Sequence, residues 1–232
     1  MLLGIAGMVG SGKTTLARAL AARFGLQLAL ESVDEENPWL DPFYSGPEAM
    51  RSYALHLQLH FLATRFASMR RMRGLGGSWI LDRTWYEDAE VFARGLHEQG
   101  YLSAEEWQLY QRLYKELLFA PAARPPRLMI YLHAPLDVTM TRIAERGRPK
   151  ERNADPEYFI QLHARYQRWI QGFRHCPVLS IDVREYDVHR DEASAAEEIA
   201  ARVRQRLEKE LPQTELWPTK REASPSHHSL PQ

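Results

Sequence analysis

The chain has 232 residues, 30 lysines and arginines against 30 aspartates and glutamates, and a single cysteine. Zero formal charge leaves no field to recruit nucleic acid or an acidic membrane, and one thiol excludes an internal disulfide and disfavours a cysteine-based metal site. The length suits one domain with a sizeable core, and no window approaches the roughly 18 consecutive apolar residues of a membrane span.

Met1 runs straight into a predicted strand, Leu2–Ala6, which leaves no room for a signal peptide; a cytoplasmic location is expected. The next eight residues, Gly7-Met8-Val9-Gly10-Ser11-Gly12-Lys13-Thr14, fit the pattern GxxxxGK[ST] at every specified position, and a helix is predicted from Thr15 to Phe24. Glycines let successive N–H groups turn into one concavity, and the helix start adds unpaired N–H groups and partial positive charge. Lys13 then reaches the β/γ-phosphates and the Thr14 hydroxyl suits Mg²⁺. A nucleoside triphosphate is the expected ligand.

A second strand, Leu26–Leu30, ends on Glu31. A polar and aromatic loop follows from Ser32 to Tyr44, with turn signals at Asn37-Pro38 and Asp41-Pro42. A long helix is predicted from Pro47 to about Arg73, stopped by Gly74–Gly77. Trp79–Leu81 is a third strand with Asp82 at its carboxyl end. Helices follow at Glu87–His97 and Ala104–Leu118, then a strand at Leu128–Leu132 and a helix at Leu136–Glu145. The charged stretch Arg146–Asp155 leads to a helix at Pro156–Phe173, a strand at Val178–Ile181 and a last helix at Ala193–Leu211. Residues 212–232 are Pro- and Ser-bearing with few apolar side chains, and are read as a disordered tail beyond a domain of residues 1–211. Short apolar strands alternating with helices imply an α/β fold, a five-stranded parallel sheet with helices on both faces. Ligands in such sheets lie beyond the carboxyl ends of the strands, which collects Gly7–Thr14, Glu31 and Asp82 at one edge.

Phosphoryl transfer to a hydroxyl needs a group to take its proton. Glu31 stands where such a base would stand, although a solvated carboxylate fits the spacing as well. Asp82-Arg83 either holds Mg²⁺, directly or through water, and a phosphate, or makes a structural ion pair. Arg142 and Arg146 share a helix face, with Arg148 just beyond Gly147, which suits a lid closing over a γ-phosphate or a solvated basic helix end. Gln58 and Arg65, seven apart on the long helix, share a face; Gln58 either pairs with a base edge or makes a structural hydrogen bond.

Together these pieces resemble the deoxynucleoside kinase family, and bacterial members more than animal ones. The matching stretches are the phosphate loop, Glu31 with Asn37-Pro38-Trp39-Leu40 and Phe43-Tyr44, Gln58 to Arg65-Phe66, Asp82-Arg83-Thr84-Trp85-Tyr86-Glu87-Asp88, Arg146-Gly147-Arg148 with Glu151, and Glu157-Tyr158. The resemblance implies the P-loop kinase fold with an Arg-rich lid. It implies that Gly7 to Thr15 hold ATP, that Glu31 accepts the proton of a 5′-hydroxyl, and that Arg83 orients that hydroxyl. Lys13, Arg142, Arg146 and Arg148 would steady the transferred group, with Thr14 and Asp82 serving Mg²⁺. Tyr44 and Glu151 would hold the sugar 3′-hydroxyl, Gln58 would pair with the base, and Phe92 would stack on it. Arg65 and Asp88 are what family members preferring purines or deoxycytidine keep, where thymidine-preferring members have apolar residues. A homodimer packed through the long helix is also implied. Thr84 replaces the family's common Ser, and Ser32-Val33 replaces the Pro-Val that follows the catalytic Glu of animal members. The alternatives are a thymidylate-kinase-like nucleotide kinase, a non-catalytic nucleotide-binding regulatory protein and a small-metabolite kinase. The acidic run Glu31, Asp34, Glu35, Glu36 argues against a doubly charged acceptor.

Overall fold

The computed structural model describes residues 1–30, 37–147, 156–186 and 192–210. Five strands run parallel through its centre: β1 (Leu2–Gly7), β2 (Gln27–Ala29), β3 (Trp79–Asp82), β4 (Leu128–His133) and β5 (Val178–Asp182), side by side in the order β2-β3-β1-β4-β5. They are the strands expected, with ends displaced by at most one residue. Their apolar runs are what burial on both faces demands, and the two-residue period sorts each run. Leu3, Ile5, Ile80, Leu128, Ile130 and Leu132 go to one face; Ala6, Leu81, Met129 and Tyr131 go to the other.

Helices α1 (Lys13–Phe24) and α9 (Glu192–Glu210) cover the first face, with Leu16, Leu20, Ile199, Val203 and Leu207 closing one core. The long α3 (Pro47–Leu75), α6 (Ala104–Phe119) and α8 (Pro156–Gly172) supply Leu62, Met69, Tyr110, Leu162 and Tyr166 to the second core. Each such side chain contributes about 1.5–3 kcal/mol relative to exposure. Pro47 opens α3, where its missing N–H costs nothing, and Gly76 closes it by donating its N–H to Met72. Helix α7 (Leu136–Arg146) follows β4.

Two stretches differ from the sequence reading. The loop before α3 contains a one-turn helix, α2 (Leu40–Phe43), because Asn37 Oδ1 accepts from Trp39 N–H and turns the chain, and Leu40 and Phe43 find cover from Ala54 and Leu57 of α3. The helix expected from Glu87 begins earlier and is not uniform. It runs as α4 (Trp85–Glu87), a π-helical turn (Asp88–Ala93) and α5 (Arg94–Glu98). A Thr84–Glu87 capping box sets the early start, and the wide turn carries no signature in a 3.6-residue pattern. The expected tail at 212–232 lies outside the described residues. Among those described, no helix is long and apolar enough to cross a membrane.

From β1 the chain goes to the edge strand β2, returns inward to β3 beside β1, then crosses β1 to β4 and β5. That reversal opens a crevice at the carboxyl end of β1, between Gly7 and the strand ends on either side.

Candidate active site

The loop after β1 is shaped for an anion. Gly10 has φ 80°, and a Cβ there would sit 3.2 Å from Ile143 and 3.4 Å from the Thr139 carbonyl, so only glycine lets the loop pass so close to α7. Gly12 caps α1 with no side-chain hydrogen bond and no acidic residue in the first turn, which leaves the helix N–H groups and their partial charge to a ligand. Lys13 is buried and its ammonium donates to the Met8 carbonyl at 2.9 Å, so its charge lies across the loop's mouth. Ser11 is buried, and its hydroxyl has no hydrogen-bond partner among the described residues. Met8 is buried, Val9 and Thr15 are half-buried and Thr14 is exposed. The Gly7 N–H donates to Glu87 at 3.2 Å.

Asp82 ends β3 opposite Ile5 of β1. Its Oδ2 accepts from the Thr14 hydroxyl at 2.5 Å, while Oδ1 is buried without a hydrogen-bond partner among the described residues. A carboxylate oxygen left over beside a hydroxyl is a hard-oxygen set of the kind that holds Mg²⁺ together with substrate phosphates, and the residues present fit that ion. Among the described residues no three His, Cys, Asp or Glu cluster for a metal.

Arg83 is the one described residue other than glycine with positive φ, 73°. Its guanidinium donates to the Tyr166 hydroxyl at 2.6 Å and to Glu87 at 3.4 Å, and lies 4.8 Å from the centre of the Phe92 ring. The sequence reading gives Glu87 no role, naming it only as a helix start and within a matching stretch, and does not single out Tyr166. The Thr-x-x-Glu spacing was the available signal for Glu87; Tyr166, on the buried face of α8, offers none. Burial pushes the Glu87 carboxyl above its usual range, against the pull of Arg83, Lys13 and the N–H groups of Thr84 and Gly7. Burial likewise holds the Tyr166 hydroxyl well above its ordinary value, so it stays a donor.

Arg65 Nε of α3 reaches Asp88 Oδ2 at 2.8 Å, with both side chains largely enclosed. The wide turn that begins at Asp88 aims its carboxylate toward α3. Gln58 is 3% exposed and its Oε1 has no hydrogen-bond partner among the described residues, an orphaned acceptor that a donor from a ligand would satisfy. Phe92 lies beside Arg83, and Tyr44 is exposed, packed edge-on against Phe43. Arg142 and Arg146 sit on α7, the helix that touches the loop through Gly10. Glu31, Arg148 and Glu151 lie outside the described residues.

Residues 3–208 match a family model described as deoxynucleoside kinase. A deoxyadenosine/deoxycytidine kinase of Bacillus subtilis is 37% identical over 193 residues, 83% of this chain and 87% of that protein. A deoxyguanosine kinase of Lactobacillus acidophilus is 32% identical over 196 residues, 82% of this chain and 83% of that one. Among solved structures, a deoxyadenosine kinase of M. mycoides with bound dCTP shares the fold with a TM-score of 0.73 at 24% identity, over 88% of this chain and all of that one.

Proposed function

The chain belongs to the deoxynucleoside kinase family, and from that premise we propose that it moves the γ-phosphoryl group of ATP to the 5′-hydroxyl of a purine deoxynucleoside. It is a kinase that phosphorylates deoxynucleosides, a reaction of nucleotide salvage. Family membership favours this over the thymidylate-kinase-like alternative. The finer choice of a purine rests on the enclosed Arg65–Asp88 pair, two turns along α3 from the orphaned Gln58 oxygen. Such a pair offers donor and acceptor together to a base edge, and a site built to hydrogen-bond a substrate group rejects analogues lacking it. The names of the relatives, spanning deoxyadenosine, deoxyguanosine and deoxycytidine, support the same class, with deoxycytidine next in order.

In this reading Gly7 to Thr15 and Lys13 hold the ATP phosphates. Glu31 takes the proton as the 5′-oxygen bonds to phosphorus, and the electrons of the broken bridging P–O bond leave with ADP. Arg83 orients the hydroxyl; Arg142, Arg146 and Arg148 spread over the charge of the moving group. Thr14 and Asp82 would hold Mg²⁺, whose chemistry when bound is to neutralise the β- and γ-phosphate oxygens. Tyr44 and Glu151 would hold the 3′-hydroxyl, and Phe92 would stack on the base. We also assign the molecule to the cytoplasm, and to a homodimer packed through α3, which sedimentation would check; a monomer at micromolar concentration counts against the dimer. Turnover of the four deoxynucleosides with ATP and Mg²⁺ tests the main claim. A purine should exceed thymidine in kcat/KM at least tenfold, and a thymidine preference refutes it.

A further inference from the structure

Glu87 is where three parts of the site meet. Its Oε1 accepts from the Gly7 N–H of the phosphate loop (3.2 Å), from the Tyr166 hydroxyl of α8 (2.9 Å) and from Arg83 Nη1 (3.4 Å). Its Oε2 accepts from the Thr84 N–H (2.8 Å) and the Thr84 hydroxyl (3.2 Å). The side chain is wholly enclosed, with 0% exposure. A carboxylate has about four lone-pair sites, so these donors fill it.

The helix cap accounts for only half of this. Capping needs the Oε2 bonds to Thr84; nothing about starting a three-residue helix requires Oε1 to gather a loop amide, an arginine and a tyrosine from another helix. Oε1 instead lies against Arg83, the one described residue other than glycine with a positive φ. A left-handed arginine persists only where its surroundings over-determine it, and Arg83 is gripped by Glu87, Tyr166 and Phe92 together. Loss of the carboxylate would remove one of the holds on Arg83 and take the Glu87 acceptor from the Gly7 N–H.

We infer that Glu87 is a positioning residue for phosphoryl transfer, holding the Arg83 guanidinium and the first glycine of the phosphate loop in one frame that Tyr166 ties to α8. Its carboxylate oxygens are taken up by donors of the protein itself and its effect runs through Arg83, so the inference rests on the role proposed for Arg83 above. A misplacement of an ångström in a positioned group costs about 100-fold in rate.

The test compares the full chain with E87Q, Y166F, R83A and the E87Q/R83A double variant. Glutamine keeps the shape and one carbonyl, enough to cap Thr84, but faces Arg83 and Tyr166 with an amide N–H₂. Folded E87Q should lose at least tenfold in kcat for deoxyadenosine, with both KM values within about threefold of the parent. Added to R83A, it should cost less than a further twofold, because the two act as one unit. Additive losses, or folded E87Q with kcat within twofold of the parent, overturn the inference. If E87Q does not fold, Y166F decides, with at least a fivefold fall in kcat expected and an unchanged kcat overturning it. A parent inert on all four deoxynucleosides overturns the acceptor reading and this inference together, whereas unaffected variants beside an active parent overturn this inference alone.

Discussion

The Thr14 hydroxyl donates to Asp82 Oδ2 across 2.5 Å, joining the first turn of α1 to the end of β3. The helix that follows β1 and the end of the neighbouring strand β3 thereby present a hydroxyl and a carboxylate at one spot, with Asp82 Oδ1 lacking a hydrogen-bond partner among the described residues. Asp82→Asn keeps the shape and removes the charge that Mg²⁺ would feel. The expected outcome is a kcat lower by about 100-fold, on the order of what one lost pre-organised charge stabiliser costs. The Mg²⁺ concentration needed for half-maximal rate should rise as well. Steady-state rates across a Mg²⁺ titration check this, and an unchanged Mg²⁺ dependence would separate Asp82 from the metal.

Arg65→Met would strand Asp88 in its enclosed place. Removing one partner of a buried ion pair costs about 3–5 kcal/mol, so the midpoint of urea unfolding should fall clearly. The double change Arg65→Met, Asp88→Ala should restore much of that stability while lowering kcat/KM for purine deoxynucleosides relative to thymidine. Unfolding curves and the two kcat/KM values decide it. A double variant with the parent's base preference would detach the pair from recognition.

Glu31→Gln should cut kcat at least 100-fold, within the 10²–10⁴ that a positioned base supplies, and leave the ATP dissociation constant near that of the parent. Calorimetry beside turnover distinguishes the two. Full turnover in Glu31→Gln would move the base elsewhere.

Burial pushes the Cys176 thiol up to about 12, and Tyr86 beside it also to about 12, again chiefly through burial. An unfolded thiol titrates near 8.5. Between there and about 12 the unfolded chain has lost a proton that the folded chain keeps. The associated stability is therefore complete below about pH 8.5 and drains away as pH rises. Iodoacetamide at pH 8 should modify native Cys176 at least tenfold more slowly than the unfolded chain. Cys176→Ala should also flatten the fall of the urea midpoint between pH 8.5 and 10. Equal alkylation rates would contradict the burial of the thiol.

Much of this is legible in the residues because short-range chemistry carries it. Gly7–Thr14 can be read because the backbone needs glycine at fixed offsets and the flanking runs need a strand and a helix. Arg65 and Asp88 are found through the resemblance, and their contact then follows from the fold. Glu87 is harder to see: a Thr-x-x-Glu start is visible, but that the same carboxylate accepts from Gly7 and Tyr166 depends on elements about 80 residues away in either direction. Tyr166 is one more aromatic on an apolar helix face until α8 lies across the sheet. The helix α2 was hidden for a related reason, since its Leu40 and Phe43 are held by tertiary cover rather than by propensity.

The over-wide turn at Asp88–Ala93 makes the Arg65–Asp88 and Arg83–Phe92 contacts discontinuous in their response to length. A turn that holds an additional residue can be healed by excising one, and the cost is angular. Each residue of a regular helix advances about 100° around the axis. Deleting Glu90 would therefore swing Asp88 off its arginine, or Phe92 off its own, while the parts that grip the triphosphate stay in place. Such a deletant should hydrolyse ATP slowly with little regard for which nucleoside is offered; retained discrimination would show that the turn absorbs the loss.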